Sequence, residues 1–286
     1  MLGRLLAERG VRDGVVLATT YGFAAGGGPV SGGSGRANMT RAGEGSLRRL
    51  GTDRIDVYWM HLWDGFTPAD KVLHGMVDLV RAGKIRHYGF SNMPAWFVVE
   101  AATLARAHGI PGPAALQLEY SLVSRDIERE HVRAAQEMGL GMVPWSPLAG
   151  GFLSGQSHRE EQRTPNSGRL SGANPFGDSR SSPSAPGTSS RRSATSPLHS
   201  TGHLPRSHRH GCWVDQRSTL CSSAPAPRTN LGRLWPPFRQ DFRTTHRRRL
   251  DAIGAPDLGY PHAIITDPMI ESLVGGGTHV RRHHAH

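Results

Sequence analysis

Three strand-like segments of this chain end in residues that could take part in chemistry. Ile55–His61 ends in a histidine, Ile85–Ser91 runs on into Asn92, and a third segment reaches Trp145 and enters a glycine-rich loop. Imidazole, hydroxyl and amide groups donate and accept hydrogen bonds, and imidazole also transfers protons at neutral pH. In a parallel α/β barrel the carboxyl ends of the strands carry the active site. The positions of these residues therefore predict a site at one edge of such a sheet.

Strand and helix patterns alternate through the first half of the chain, as βα units require. Apolar runs predict the strands, and amphipathic segments that open with Pro or close with Gly predict the helices. We predict strands at Val15–Thr20, Ile55–His61, Ile85–Ser91, Ala114–Tyr120 and Gly141–Pro147, and helices ending at residue 9 and over Asn38–Leu50, Pro68–Ala82, Pro94–His108 and Asp126–Met138. A glycine-rich loop over residues 26–35 follows the first strand.

The net charge of +11 lies in one segment of unusual composition. Residues 179–249 contain thirteen arginines and no lysine against two aspartates, which accounts for the whole excess. Arginine-rich stretches can bind phosphate backbones, but this one has few aromatic residues and no recognisable module. We therefore predict no nucleic-acid partner. The Ser, Arg and Pro content predicts disorder, because such a composition buries too little apolar surface.

The sequences Ile55-Asp-Val-Tyr-Trp-Met-His61, Gly83-Lys-Ile-Arg-His-Tyr-Gly-Phe-Ser-Asn92 and Trp145-Ser-Pro-Leu-Ala-Gly-Gly151 resemble the aldo/keto reductase family. The resemblance covers about residues 1–178 and returns over about 247–280. It implies a (β/α)8 barrel and an NADP(H)-dependent oxidoreductase that acts on aldehyde or ketone groups. Family members have about two further strand–helix units before the point that matches Met1. The implied fold is thus an incomplete, N-terminally truncated (β/α)8 TIM barrel.

The predicted domain organisation follows from these two observations. Residues 1–178 form a partial barrel, residues 179–246 a low-complexity segment, and residues 247–286 a barrel-associated segment and tail. The abrupt change of composition is interpreted as a pair of compensating frameshifts near codons 180 and 246, and a genuine disordered insertion is the alternative. An eighth strand is expected at about residues 210–225 and is not recognisable there.

The family's catalytic set is Asp, Tyr, Lys and His, and only the histidine is matched, by His61. The lysine position at the end of the first strand holds Thr20. The Asp and Tyr belong to segments before the part that matches from Met1, and neither Tyr21 nor Tyr58 matches the family's tyrosine. A histidine at a strand end can also be a purely structural residue. The resemblance favours an active-site position with impaired proton transfer.

The resemblance also implies a set of cofactor-binding residues for NADP(H). Ser91, Asn92 and Gln117 match the residues that bind the nicotinamide carboxamide. Trp145 matches the aromatic residue that stacks on the nicotinamide ring. The pyrophosphate loop begins with Ser146, Pro147, Leu148 and Gly150, where small residues let backbone amides approach phosphate. Structural alternatives are a barrel-interior glutamine for Gln117 and a core tryptophan for Trp145.

Other features predict neither a metal site nor a membrane segment. Cys212 and Cys221 suggest no disulfide framework, and their spacing from nearby histidines fits no common zinc pattern. Without an apolar run of about 20 residues or a secretory signal, a cytoplasmic location follows by default. The expected partner is a small-molecule carbonyl substrate, while the oligomeric state stays open. Two functions remain: an impaired NADP(H)-dependent reductase, or a non-catalytic, degraded family member that at most binds cofactor.

Overall fold

A computed structural model describes residues 2–28, 31–149, 153 and 244–265. These residues form two compact units. The described part of the first unit comprises residues 2–28, 31–118 and 128–143, and that of the second comprises residues 119–127, 144–149, 153 and 244–265. Most of the predicted low-complexity segment lies outside the described residues, so the predicted division of the chain stays a prediction.

The described strands form one sheet whose strand order follows the chain. The strands are β1 (Ala18–Tyr21), β2 (Ile55–Met60), β3 (Ile85–Ser91), β4 (Ala115–Glu119) and β5 (Gly141–Trp145). Strands β1 to β4 pair in parallel. Over the described residues the sheet stays open and does not close into a ring. The predicted parallel α/β architecture is therefore confirmed.

Helices follow the strands as predicted, with several ends shifted. They are α1 (Leu2–Arg9), α2 (Arg36–Leu50), α3 (Ala69–Arg81), α4 (Ala95–Ala107), α5 (His131–Met138), α6 (Thr244–Gly254) and α7 (His262–Ile265). The predicted helices included Pro68 and Pro94 at their starts. In the structure each proline is the extended N-cap residue that directly precedes its helix, α3 or α4. In the described part of the chain no helix has the length and apolarity needed to span a bilayer.

Two predicted elements need correction. The single helix over Asp126–Met138 is wrong: Asp126–Glu128 forms a short 3-10 helix, and Glu130, whose φ of −137° is not helical, precedes α5. The first strand begins at Ala18 and not at Val15, because a 3-10 turn over Arg12–Gly14 leaves the next two valines exposed.

The helix-covered face of the sheet forms the core of the first unit. Tyr58 and Tyr88 are in register there, as are Met60 and Phe90, and all four side chains are buried. Both tyrosine hydroxyls donate hydrogen bonds to main-chain carbonyls at 2.8 Å. Tyr58 donates to the Met39 carbonyl, and Tyr88 donates to the Pro111 carbonyl. Full burial of such large side chains stabilises the fold by about 1.5–3 kcal/mol each.

The opposite face is the one that a closed barrel would place inside. Thr20 is in register with Trp59, and Trp59 with Gly89. The Trp59 ring lies over Gly89, where a Cβ atom would collide with it, so this position requires glycine. Thr20 itself is exposed.

The amino ends of the strands are held by the buried carboxylate of Asp56. It accepts a hydrogen bond from the Leu17 amide at 2.9 Å and pairs with Arg12 at 2.8 Å and Arg86 at 3.0 Å. Arg12 also donates to the Arg54 carbonyl at 2.8 Å. Burial raises the pKa of Asp56, but the Leu17 amide and the two guanidinium groups lower it more, so the pKa lies below its ordinary value. Asp56 thus joins the turn before β1 to β2 and β3.

We expect Asp56→Asn to lower the free energy of unfolding by about 3 kcal/mol at pH 7, because the change leaves Arg12 without its buried partner. Because the folded pKa is lowered, this contribution is present above the unfolded pKa of about 4 and is lost as the pH falls through the folded pKa. Urea unfolding at pH 7 and at pH 3 should therefore show a difference from wild type that shrinks in acid. Asp53→Asn is the control, because Asp53 is 82% exposed and its surface pair contributes less than about 1 kcal/mol. Equal losses in both variants would contradict this account.

Candidate active site

His61 lies directly after β2, at the carboxyl edge of the sheet. Its main-chain amide donates to the Tyr21 carbonyl at 2.9 Å, which continues the pairing of β1 and β2 by one residue. The imidazole packs against the ring of Phe23, with the ring centroids 4.6 Å apart. Its Nδ1 atom is buried and has no hydrogen-bond partner among the described residues. Burial lowers the pKa of His61, which favours the neutral imidazole.

Ser91 and Asn92 stand at the carboxyl end of β3, next to His61. Ser91 is only 1% exposed. Asn92 has a left-handed backbone with φ of +52°, a conformation that Asn tolerates better than most residues. Its Nδ2 atom donates to the His61 carbonyl at 2.9 Å and contacts Ser91 Oγ at 3.0 Å. The Asn92 amide therefore ties the end of β3 to the end of β2.

Gln117 lies on the next strand, in register with Ser91. Paired residues of parallel strands project to the same face of a sheet, so the Ser91 and Gln117 side chains share one face. Gln117 is half-buried. The first unit thus brings together His61, Ser91, Asn92 and Gln117 at the carboxyl edge, as the sequence predicts. Their roles stay predictions.

The remaining predicted cofactor residues fall in the second unit. Trp145 ends β5, and its indole Nε1 is buried without a hydrogen-bond partner in the described part of the chain. Ser146 and Ala149 have left-handed backbones, and the Ala149 amide donates to the Ser146 carbonyl at 2.8 Å. Pro147 and Leu148 lie within this turn, and the Leu148 carbonyl accepts from the Leu153 amide at 3.1 Å. Gly150 lies outside the described residues.

Two residues at this edge were missed by the sequence reasoning. Phe23, 51% exposed, brings an aromatic ring against His61 from the loop after β1. Asp64 anchors that loop: its carboxylate accepts from the Ser34 amide and the Thr67 amide, each at 2.8 Å, and from Thr67 Oγ1 at 2.6 Å. An Asp followed three residues later by Thr is typical of a turn, so the bonds between Asp64 and Thr67 could have been predicted. The bond to Ser34 joins segments 30 residues apart and leaves no local pattern.

The carboxylate of Asp64 is fully ionised at neutral pH. Burial raises its pKa, and hydrogen bonds from Thr67, Ser34 and Phe66 lower it more, so the pKa lies below its ordinary value. The loop that carries Phe23 is consequently fastened to the residues that follow His61 by charge-assisted hydrogen bonds, which are stronger than neutral ones.

Three buried tyrosines of the strands use their hydroxyls in contacts with the main chain. Tyr21 donates its hydroxyl to the Ser34 carbonyl at 3.3 Å, and Tyr58 and Tyr88 also donate to main-chain carbonyls. Burial raises the pKa of all three phenols, which makes each a weaker acid. Thr20, at the position of the family's lysine, carries no charge. No group of three or more His, Cys, Asp or Glu suited to a metal occurs in the described ranges.

The residues present fit the nicotinamide end of NADP(H). A primary carboxamide offers two N–H donors and one acceptor, and the amide and hydroxyl groups of Ser91, Asn92 and Gln117 can complement both. Within the described chain, the Asn92 side-chain oxygen accepts no hydrogen bond, because the contacts of this amide run through Nδ2.

Fold and site together define an α/β protein of the barrel type with its polar residues at the carboxyl ends of parallel strands. A family model described as "Aldo/keto reductase family" matches residues 1–201, and the chain belongs to this family. The family implies a (β/α)8 barrel, and the open, parallel sheet of the described residues confirms the predicted α/β fold of the aldo/keto reductase type.

Three relatives illustrate the similarity. The chain is 42% identical over 121 residues to "Uncharacterized oxidoreductase YrpG" of Bacillus subtilis, covering 42% of the chain and 37% of that protein. It is 33% identical over 174 residues to "Norsolorinic acid reductase B" of Aspergillus parasiticus, covering 58% and 46% respectively. It is 30% identical over 169 residues to "Putative aryl-alcohol dehydrogenase AAD14" of Saccharomyces cerevisiae, covering 57% and 45%. The matches span less than half the length of each of these relatives.

We expect Phe23→Ala to raise the pKa of His61 toward its ordinary value of about 6.5, because the change admits water to the imidazole. An NMR titration of the histidine ring protons measures this shift directly. Phe66→Ala is the matched control, since Phe66 is 78% exposed and makes no ring contact with His61 among the described residues. A His61 pKa that is the same in the Phe23 variant and in wild type would show that Phe23 does not shield the imidazole.

Proposed function

We propose that the chain binds NADP(H) and is an aldo/keto-reductase-type oxidoreductase acting on aldehyde or ketone groups, with hydride transfer strongly impaired. The observation that carries this proposal is the arrangement of His61, Ser91, Asn92 and Gln117 at one edge of the sheet. The names of the relatives, which include a reductase and a dehydrogenase, support the same reaction class.

Cofactor orientation is the task of the residues after β3 and on β4. Ser91, Asn92 and Gln117 would hold the carboxamide of the nicotinamide, and this fixes which face of the ring meets the substrate. When bound, NADPH supplies the hydride. Positioning of this kind is a large part of catalysis, because it removes the entropy cost of bringing two reactants together.

Substrate polarisation is the task of His61. Its lowered pKa keeps the ring neutral near pH 7, and a neutral imidazole still offers one N–H donor. A hydrogen bond from this donor to the carbonyl oxygen would stabilise the negative charge that develops there as hydride arrives. The exposed ring of Phe23 beside His61 would contact the group attached to that carbonyl.

The proposed impairment is supported by Thr20 and by three buried tyrosines of the strands. Thr20 cannot replace an ammonium group. The buried hydroxyls of Tyr21, Tyr58 and Tyr88 donate to main-chain carbonyls. General acid catalysis typically contributes about 10²–10⁴-fold to a rate. The same observations favour the second candidate function, a family member that binds the cofactor without catalysing a reaction.

A fluorescence titration with NADPH tests the binding half of the proposal. Wild type should bind NADPH. Gln117→Ala should weaken this binding about fivefold or more, because the nicotinamide carboxamide loses its Gln117 partner in a half-buried site. Gln136→Ala is the matched control, since Gln136 is exposed on α5. No NADPH binding by the wild type, or equal affinities of the two variants, would contradict the proposed cofactor site.

The catalytic half is tested with the same proteins and an aromatic aldehyde such as benzaldehyde. We expect NADPH oxidation below about one hundredth of the rate of a full-length reductase of the family assayed in parallel. Binding without measurable turnover would favour the non-catalytic alternative. Rapid turnover that disappears in His61→Ala would overturn the proposed impairment while supporting the reaction class.

A further inference from the structure

We propose that His131 is a positioning residue for the Ser91–Asn92 pair and acts through the main chain of Met93. The imidazole of His131, at the first position of α5, donates from Nε2 to the Met93 carbonyl at 2.8 Å. Because a carbonyl only accepts, this contact requires the proton on Nε2. The consequence for NADPH affinity rests on the proposed function, whereas the effect on Asn92 does not.

The segment that His131 holds is the turn between β3 and α4. Asn92 opens the turn in the left-handed conformation, Met93 is buried, and Pro94 caps α4. Pro94 has no amide hydrogen with which to fasten the turn. Within the described part of the chain, two side-chain hydrogen bonds join this turn to other elements. Asn92 Nδ2 donates to the His61 carbonyl, and His131 donates to the Met93 carbonyl.

Loss of one of these two contacts should change the orientation of the Asn92 side chain. A left-handed backbone is unfavourable for a residue with a Cβ atom and persists only where surrounding contacts maintain it. The Asn92 amide reaches both the His61 carbonyl and Ser91 Oγ from this backbone conformation. If Met93 is released, the turn can relax and the amide no longer meets both partners.

The docking of α5 does not depend on His131 alone. Ala134 and Ala135 of α5 are buried and help to hold the helix in place. At its far end, Arg106 of α4 donates to the Met138 carbonyl at 2.8 Å. Removal of the imidazole should therefore release the turn while α5 stays in place, which distinguishes positioning from a purely structural role.

The test compares His131→Ala, His131→Gln and His131→Asn in the full chain. A Gln side chain can bring its amide nitrogen to about the place of Nε2, whereas Asn is too short. His74→Ala is the matched control, because His74 bonds through Nδ1 to the Asp70 carbonyl within its own helix, α3. The readouts are the side-chain amide NMR signals of Asn92 in the cofactor-free protein, the NADPH dissociation constant and the melting temperature.

We expect the Asn92 signals to move in the Ala and Asn variants, with NADPH binding about three- to tenfold weaker. The Gln variant and His74→Ala should stay within about twofold of wild type. Unchanged Asn92 signals in His131→Ala would overturn the proposal. If that variant does not fold, equal Asn92 signals in the Gln and Asn variants would overturn it instead. If wild type binds no NADPH, the proposed function fails, and the Asn92 signals still decide the role of His131.

Discussion

The side-chain amide of Asn92 joins the carboxyl ends of two neighbouring strands, one followed by His61 and the other ending at Ser91. Parallel strands place their carboxyl ends at one edge of a sheet, but register alone does not fix the loops that leave them. Asn92 does so by bonding to the His61 carbonyl and to Ser91 Oγ. Asn92 makes these contacts from a left-handed backbone, and the cost of that conformation is offset by the contacts around it. His61, Ser91 and Asn92 are consequently held as one group.

Much of this arrangement could be predicted from the sequence, because it follows from local patterns. The nearly continuous apolar run before His61 marks a buried strand, and the predicted span Ile85–Ser91 agrees with β3 residue for residue. Once two strands are placed and paired in parallel, the residues that follow them must lie close together. Proline and glycine gave the helix ends to within about two residues, the ordinary precision of such signals.

The contacts that lie far apart in sequence could not be predicted in this way. The bond between Asp64 and Ser34, the packing of Phe23 on His61 and the contact of His131 with Met93 depend on loop paths. The helix predicted from Asp126 was wrong because no composition signal marks the non-helical φ of Glu130. The main-chain carbonyls that accept from the hydroxyls of Tyr21, Tyr58 and Tyr88 could not be predicted either, because these contacts also join segments far apart in sequence.

Binding and catalysis make separate demands on this sheet, and the described residues meet them unequally. The proposed binding of a nicotinamide needs amide and hydroxyl groups in fixed positions, and the first unit holds Ser91, Asn92 and Gln117 at one edge of the sheet. Proton transfer needs an acid whose pKa lies near the working pH, and burial moves the three phenols away from it. Thr20 adds no charge that could reverse this effect. These unequal demands are the reason why we propose cofactor recognition together with impaired hydride transfer.

An experimental structure of the full chain with NADP⁺ tests this account most directly. The account predicts the nicotinamide carboxamide within hydrogen-bond distance, about 3 Å, of Ser91, Asn92 and Gln117, with His61 facing the reactive side of the ring. A carboxamide bound elsewhere, or crystals that hold no NADP⁺ at millimolar concentration, would contradict it.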